Sequence, residues 1–234
     1  MVLFYALLVA HGSEINHRIS ASIANTKHLK VDLEQMLGEG ENAFDSAPTY
    51  PADSVDCMTW MQLVLAKAYA TPSHSEKELF RRLRYYDGQV CFSHRKHYVD
   101  RWVQLDPGPL EELNTQQCKA DMLVPVQLSI PTFLEQRAYK GELYSQGSIV
   151  PPASALTPAR LQRCISSLPK GFYVAFAVPS KWWLSEYYPI GKMARVHSLI
   201  IDNTSQSAQV HHASLDYGRV KTESLAEFVK RLEG

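Results

Sequence analysis

The sequence predicts an α+β fold in which helices come first and strands follow. Helical signals dominate residues 1–36, 57–70 and 75–86, whereas strand-like runs lie at 172–178, 193–201 and 207–213. This segregated order favours an α+β fold over the alternating order of a doubly wound α/β fold. The sequence also lacks Gly-x-Gly-x-x-Gly and Gly-Lys-Ser/Thr, the motifs that would indicate a nucleotide-binding α/β domain.

Length and composition favour a single folded domain over residues 1–234. The chain has 234 residues, of which 45% are hydrophobic and 21% charged, so it can build a core and is not a disordered protein. Twenty-four Lys and Arg residues balance 24 Asp and Glu residues. Because a net charge of zero gives no long-range attraction for a polyanion, we expect no nucleic-acid partner. We expect the protein to be a monomer.

The N-terminal part is predicted to be helical. Apolar spacing and few helix breakers indicate two or three helical pieces over residues 1–36. The apolar run at 1–12 is too short to span a bilayer, so no stable membrane span is expected. This run is either a buried first helix or the remnant of a secretory signal, since Ala10-His11-Gly12 has the small-x-small pattern of a cleavage site.

Capping signals place the later helices. A long loop at 38–56 precedes an apolar helix at 57–70, for which Asp53, Ser54 and Asp56 are N-cap candidates. The capping box Ser75-x-x-Glu78 opens a helix to about Tyr86. The remaining predictions are an irregular stretch at 87–121, a strand-like run at Met122–Ser129, helices at Thr132–Tyr139, 158–168 (N-capped by Thr157) and Ser224–Leu232, and a β-rich half at 172–221.

The cysteine and histidine spacings exclude common metal sites. Cys57, Cys91, Cys118 and Cys164 permit two disulfides in three connectivities, and the spacing favours none of them. The sequence contains no Cys-x-x-Cys, His-x-x-x-His or His-Glu-x-x-His motif. We therefore predict no metal and no cofactor.

Cys57 combines a reactive residue type with an activating position. It falls in the first turn of the 57–70 helix, where unpaired N–H groups and the helix dipole favour an anion, so we expect a stabilised thiolate. A nucleophilic cysteine needs a base, and the candidate is His197. If the run at 193–201 is a strand, Arg195, His197 and Leu199 share one face.

Two further histidines follow on the next strand-like run. A hairpin would place His211 and His212 beside His197, but adjacent strand residues point to opposite faces, so only one can hydrogen-bond to the His197 ring. Taken singly, each of these residues is at least as typical of a buried structural position. A cysteine on an early helix followed by strand-borne histidines is nevertheless the order of papain-like cysteine hydrolases.

Three segments resemble the NlpC-like branch of the papain-fold cysteine peptidases. They are Asp56-Cys57-Met-Thr-Trp60, Val196-His197-Ser-Leu-Ile-Ile201 and His212-Ala-Ser214. Within this branch the chain is most similar to the N-acetylmuramoyl-L-alanine amidase-like family, whose helix reads Asp-Cys-x-Thr-Phe. Further matches are Leu83-Arg-Tyr85 with Asp87-Gly88, Arg95-Lys-His-Tyr98 with Trp102, and Ser148-Ile-Val-Pro151.

The chain also departs from the family pattern. The family's Leu-Gly-x-Pro-Tyr upstream of the cysteine appears as Leu37-Gly38-Glu-Gly-Glu41, so a tyrosine that would serve as an oxyanion donor is missing. The Gly that follows the catalytic His in the family is replaced, since the chain reads His197-Ser-Leu. These departures leave the core catalytic residues in place.

The resemblance implies a papain-like NlpC-type fold, with the catalytic cysteine at a helix N-terminus packed on a C-terminal antiparallel sheet. It implies a peptidoglycan hydrolase that cleaves the amide between N-acetylmuramic acid and L-alanine through an acyl-thioester. Cys57 would be the nucleophile, His197 the base and His212 its orienting partner, with His211 as the orienting partner instead if His211 is the one that faces inward. The alternatives are a γ-D-glutamyl-diaminopimelate endopeptidase and a non-catalytic cell-wall-binding module.

The same resemblance implies the binding partners, the cellular location and the substrate-binding residues. Guanidinium groups clamp peptide carboxylates and aromatic rings stack on sugars, so the expected partners are muropeptides or peptidoglycan fragments. The expected location is the cell envelope, periplasmic or secreted. The candidate substrate-binding residues are Arg84, Arg95, His97, Tyr98 and Trp102.

Overall fold

The structure is a computed structural model that describes residues 2–10, 12–32, 38–40, 44–96, 111–112, 118, 122–124, 140–141, 153–179 and 197–233. In these residues the helices are α1 Ser13–Thr26, α2 Cys57–Tyr69, α3 Glu76–Arg84, α4 Pro158–Ser167 and α5 Leu225–Glu233. The strands are β1 Val2–Ala10, β2 Lys30–Val31, β3 Ser54–Val55, β4 Glu111–Glu112, β5 Met122–Val124, β6 Ala153–Leu156, β7 Phe172–Pro179, β8 His197–Asp202, β9 Gln209–Ser214 and β10 Arg219–Ser224.

The described strands form one mixed sheet, which confirms the α+β class. Its order is β3-β2-β10-β9-β8-β7-β1-β6-β5, with β4 paired to β1. Strands β7 to β10 run antiparallel to their neighbours, whereas β2 and β3 are parallel. The prediction of one domain over residues 1–234 stays a prediction.

Helices cover both faces of the sheet and create two cores. On the face that we call the α2 face, Phe176, Ile200 and Ala213 pack against α1, α2 and α3. On the opposite face, called the α5 face, Leu199 packs with α4 and with α5, to which Phe228 belongs. Alternation along the strands therefore decides which helix each side chain meets.

The prediction of helix over residues 1–36 is wrong in its first part. Val2–Ala10 is a strand that lies between β6 and β7 in the sheet, and α1 begins only at Ser13. A short, unbroken apolar run has no periodicity that separates a buried strand from a buried helix. Its nine residues fit a central strand, which is hydrogen-bonded on both edges.

Local capping signals are confirmed at three helices. The Thr157 hydroxyl accepts a hydrogen bond from the Arg160 N–H, at 3.4 Å, and Pro158 is the first residue of α4. Ser224 and Glu227 form a reciprocal capping box at α5, with the Glu227 N–H 3.1 Å from the Ser224 hydroxyl and the Ser224 N–H 3.2 Å from the carboxylate. Ser75 caps α3, which ends at Arg84 and so two residues earlier than predicted. The predicted helix at Thr132–Tyr139 and the second part of the run at Met122–Ser129 lie outside the described residues.

A disulfide joins Cys118 to Cys164 on α4 across a sequence separation of 46 residues. Reduction should lower the free energy of unfolding by about 4 kcal/mol, because the bond restricts the unfolded chain. Urea unfolding with and without dithiothreitol measures this difference. Replacement of the thiol residue Cys91 by Ser is the matched control and should leave the difference unchanged. Equal midpoints in the oxidised and reduced protein would contradict the prediction.

Among the described residues, no helix combines the length and the apolar character that crossing a membrane requires.

Candidate active site

Cys57 is the first residue of α2, as predicted. Asp56 takes an extended conformation before the helix, and its carboxylate accepts a hydrogen bond from the Thr59 N–H at 2.6 Å. Of the three predicted N-cap candidates, Asp56 is the one that caps α2. The buried Trp60 fixes the helix further, because its indole N–H donates to the Thr26 hydroxyl on α1 at 3.0 Å. These contacts hold the start of α2, and with it the Cys57 thiol.

The thiol of Cys57 lies against the start of β8. The side chain is half-buried and packs on the α2-face core. Burial, reinforced by the neighbouring Asp56 carboxylate, raises its pKa to about 11, although the Ser198 N–H and hydroxyl and the Met58 N–H act in the opposite direction. The expectation of a stabilised thiolate is therefore wrong, because desolvation outweighs the helix N-terminus.

The raised pKa of Cys57 predicts slow alkylation at neutral pH. The rate of iodoacetamide labelling should rise about tenfold per pH unit above pH 7 and level off near pH 11, because only the thiolate reacts. Mass spectrometry of the Cys57 peptide measures the rate. Urea-unfolded protein is the control and should level off near the ordinary thiol pKa of about 8.5. A plateau already at pH 7 in the folded protein would show that a thiolate is present.

His197 and His212 lie together, as the sequence predicts for one of the two adjacent histidines. Nε2 of His197 is 2.8 Å from Nδ1 of His212, and Nε2 of His212 is 2.8 Å from Oε1 of Glu223. Burial and the nearby His212 and Arg231 lower the pKa of His197 to about 3. Burial likewise lowers the pKa of His212, against the opposing effect of Glu223. Both rings are therefore neutral at pH 7.

The thiol and the His197 ring lie on different faces of the sheet. His197 pairs with Ala177 of the α5-face core, and its ring stacks at 6.4 Å from Phe228 of α5. The next residue, Ser198, points to the α2 face, where Cys57 lies. The structure thus brings His197 and His212 together and places Cys57 beside the peptide that joins His197 to Ser198.

His211 points to the α2 face, opposite to His212. Its Nδ1 lies 2.8 Å from the Thr222 hydroxyl, and its Nε2 lies 3.9 Å from the Asp202 carboxylate. His211 therefore shares a face with Cys57 but has both ring nitrogens directed at neighbours on the sheet.

The two predicted substrate arginines are held inside the protein. Nη2 of Arg95 contacts Glu39 and lies 3.3 Å from Asp45, so internal carboxylates already balance its charge. Arg84 is 8% exposed, and burial together with Arg95 lowers its pKa, while the Asp56 carboxylate opposes this shift. Of these two arginines, Arg84 is therefore the one whose charge acts on Asp56 at the start of α2.

The loop around Gly38 supports this arginine cluster. The Tyr85 hydroxyl donates to the Gly38 carbonyl at 2.9 Å, and a Cβ on Gly38 would lie 2.3 Å from Oδ1 of Asp45. Only glycine fits this close approach. The other predicted substrate residues, His97, Tyr98 and Trp102, lie outside the described residues.

Two residues of the site were missed from the sequence. Ser198 is fully buried, and its N–H and hydroxyl both face the Cys57 sulfur. Glu223 contacts His212 from β10, a strand that no separate signal indicated. Residues two apart on a strand share a face, as His212 and Ser214 do on β9 and Lys221 and Glu223 do on β10. This alternation could have placed Glu223 on the face of His212 only if the register between the two strands had been known. In the described part of the chain, no group of three or more His, Cys, Asp or Glu residues is arranged to hold a metal ion.

The family is decided by a match over most of the chain. The model of the AmiA-like family, described as N-acetylmuramoyl-L-alanine amidase-like, matches residues 26–234. The chain belongs to this family. Membership in the AmiA-like family confirms the family part of the resemblance seen in the sequence and indicates hydrolase activity on peptidoglycan. Comparison with curated proteins gives no significant match.

Solved structures show the fold of this AmiA-like protein at low sequence identity. A Legionella pneumophila protein has a TM-score of 0.65 and 19% identity, over 94% of this chain and 84% of the other. An N-acetylmuramoyl-L-alanine amidase from Bacteroides uniformis has a TM-score of 0.62 and 14% identity, over 93% and 94%. A Bacteroides fragilis protein named as a candidate xylanase has a TM-score of 0.56 and 17% identity, over 90% and 94%. These neighbours share the fold but carry different names, so the site must carry the argument for activity.

Proposed function

We propose that this AmiA-like protein is a cysteine amidase of the NlpC-like, papain-fold branch. Its substrate would be the amide between N-acetylmuramic acid and L-alanine in muropeptides. The observation that carries the proposal is the position of Cys57, which begins α2 and lies against Ser198, the residue that follows His197 on β8. Membership in an amidase-like family supports the choice of bond.

The proposed reaction begins with a neutral thiol and a neutral imidazole. His197 takes the Cys57 proton as the sulfur attacks the lactyl carbonyl, and the Cys57 N–H donates to the oxyanion. The imidazolium then protonates the leaving nitrogen of L-alanine, which departs as an amine and leaves a thioester. Finally His197 removes a proton from water, which attacks the thioester and releases the muramyl carboxylate and the thiol. His212 holds the His197 ring during these transfers.

The first step requires Nδ1 of His197 and the Cys57 sulfur to meet at the start of β8. His197 is the first residue of β8, and the peptide joining it to Ser198 already borders the sulfur. We infer that the start of β8 shifts when substrate enters, so that Nδ1 reaches the thiol while Nε2 of His197 keeps its hydrogen bond to His212.

The remaining proposals concern substrate and location. Arg84, beside Asp56, would hold a carboxylate of the peptide stem, whereas Arg95 would hold the loop of Glu39 in place. A cell-envelope location, periplasmic or secreted, agrees with the Cys118–Cys164 disulfide, since such bonds form in oxidising compartments. A monomer acting on muropeptides suffices for this chemistry.

Product analysis distinguishes the proposed bond from the alternatives. Incubation with a defined muropeptide of known stem, followed by mass spectrometry, should release an intact peptide that begins with L-alanine. Cleavage that leaves the dipeptide L-Ala-D-Glu on the sugar and frees the rest of the stem would indicate the endopeptidase. Retention of the muropeptide without any cleavage would indicate a binding module and refute the amidase.

A further inference from the structure

Glu223 ends a chain of hydrogen bonds that begins at His197. Oε1 of Glu223 lies 2.8 Å from Nε2 of His212, and Nη2 of Arg231 donates to the same oxygen at 2.8 Å. The Glu223 side chain is 8% exposed. Lys221 pairs with His212 across β9 and β10, so Glu223, two residues along β10, lies on the same face. The carboxylate is thus built into the α5 face beside the two rings.

The charge of Glu223 determines where the protons of both rings lie. Although burial raises the pKa of Glu223, hydrogen bonds from Arg231 and His212 hold it below its usual value, so the group is a carboxylate at pH 7. A carboxylate only accepts hydrogen bonds, so Nε2 of His212 must carry a proton. A neutral ring has one N–H, which leaves Nδ1 of His212 as an acceptor. Nε2 of His197 must then donate to it, and Nδ1 of His197 keeps a lone pair.

We propose that Glu223 is a positioning residue that sets the tautomers of His212 and His197, with Arg231 as its anchor. This inference rests on the proposed function, because a bare Nδ1 on His197 is what the transfer of the Cys57 proton requires. Other charged groups also face the rings. Lys221 lies 3.7 Å from Oε2 of Glu223 and lowers the pKa of His212, and Arg231 reaches from α5 and lowers the pKa of both rings.

The test combines a tautomer measurement with kinetics. In protein labelled with ¹⁵N-histidine, long-range proton–nitrogen NMR reports which ring nitrogen carries the proton, and the His197→Asn and His212→Asn variants assign the signals. The parent protein should show both rings protonated at Nε2. In Glu223→Leu, which has no acceptor for the Nε2 proton, His212 should lose this single tautomer, and kcat should fall about 10²-fold with little change in KM.

Glu227→Gln is the matched control, since it removes a nearby carboxylate but can retain the capping box of α5. It should match the parent in tautomers and in kcat, and a thermal melt confirms that both variants fold. Unchanged tautomers in Glu223→Leu, or a kcat equal to that of the control, would overturn the inference. If the parent cleaves no muropeptide, the proposed function fails, whereas the NMR result still decides the role of Glu223.

Discussion

Replacement of Cys57 by alanine should reduce kcat/KM for muropeptide cleavage by about 10⁴-fold or more, because the nucleophile of the proposed reaction is lost. The variant should fold. The Cys57 side chain is half-buried at the edge of the α2-face core, so its removal should cost on the order of 1 kcal/mol of unfolding free energy. Chromatography of the reaction products measures the rate, and urea unfolding measures the stability.

Cys91→Ala is the control for this experiment. Cys91 is the second thiol among the described residues and is also half-buried, but it lies after α3, next to the 3-10 turn Phe92–His94 rather than at the start of α2. Its replacement should leave kcat/KM within about threefold, as is usual for a site away from the reacting atoms.

Equal cleavage by the Cys57→Ala variant and the parent would falsify the thiol mechanism and leave the family assignment intact.

The parts of the fold that could be predicted are those determined by neighbouring residues. Asp56 before Cys57 and Thr157 before Pro158 cap helices through contacts spanning three residues, and such contacts are visible in the sequence. Strand β1 could not be predicted, because its structure depends on β7 and on β6, whose residues lie about 150 or more positions away. Local apolar composition carries no information about such partners.

In the candidate site, too, local features could be predicted and features that depend on the whole fold could not. Alternation along a strand predicts that His211 and His212 point to opposite faces, and the structure confirms it. Which face α2 covers is a property of the packed sheet, so the position of Cys57 next to Ser198 was not predictable. The pKa of Cys57 was mispredicted for a related reason: the helix N-terminus is a local feature, whereas desolvation depends on the whole fold.

The structure of the site refines what the zero net charge of the chain implies about its substrate. The composition excludes a general attraction for polyanions, but the charges are not evenly spread. Glu39 and Asp45 compensate the charge of Arg95, and Arg231 compensates the charge of Glu223. Charge on this protein therefore acts locally, on loop geometry and on ring tautomers, which suits a substrate of neutral sugars with a few stem carboxylates.

His197→Ala should lower kcat by about 10³-fold, whereas His211→Ala should change it by less than about threefold. The comparison matters because His211, not His197, shares the α2 face with Cys57 in the structure. We expect His197 to be the base because, within the described part of the chain, its ring is hydrogen-bonded only through Nε2, which leaves Nδ1 for the thiol proton. His211 has its two nitrogens directed at Thr222 and Asp202.

Added imidazole provides the decisive control. If His197 supplies the base, imidazole that enters the space left by the ring should restore part of the activity of His197→Ala, in proportion to its unprotonated concentration. It should have no effect on Cys57→Ala, which lacks the nucleophile. The opposite pattern, a loss of about 10³-fold in His211→Ala with His197→Ala active, would make His211 the base and Asp202 its partner. In that case the thiol would be activated on the α2 face, and His197 and His212 would stabilise the α5 face instead.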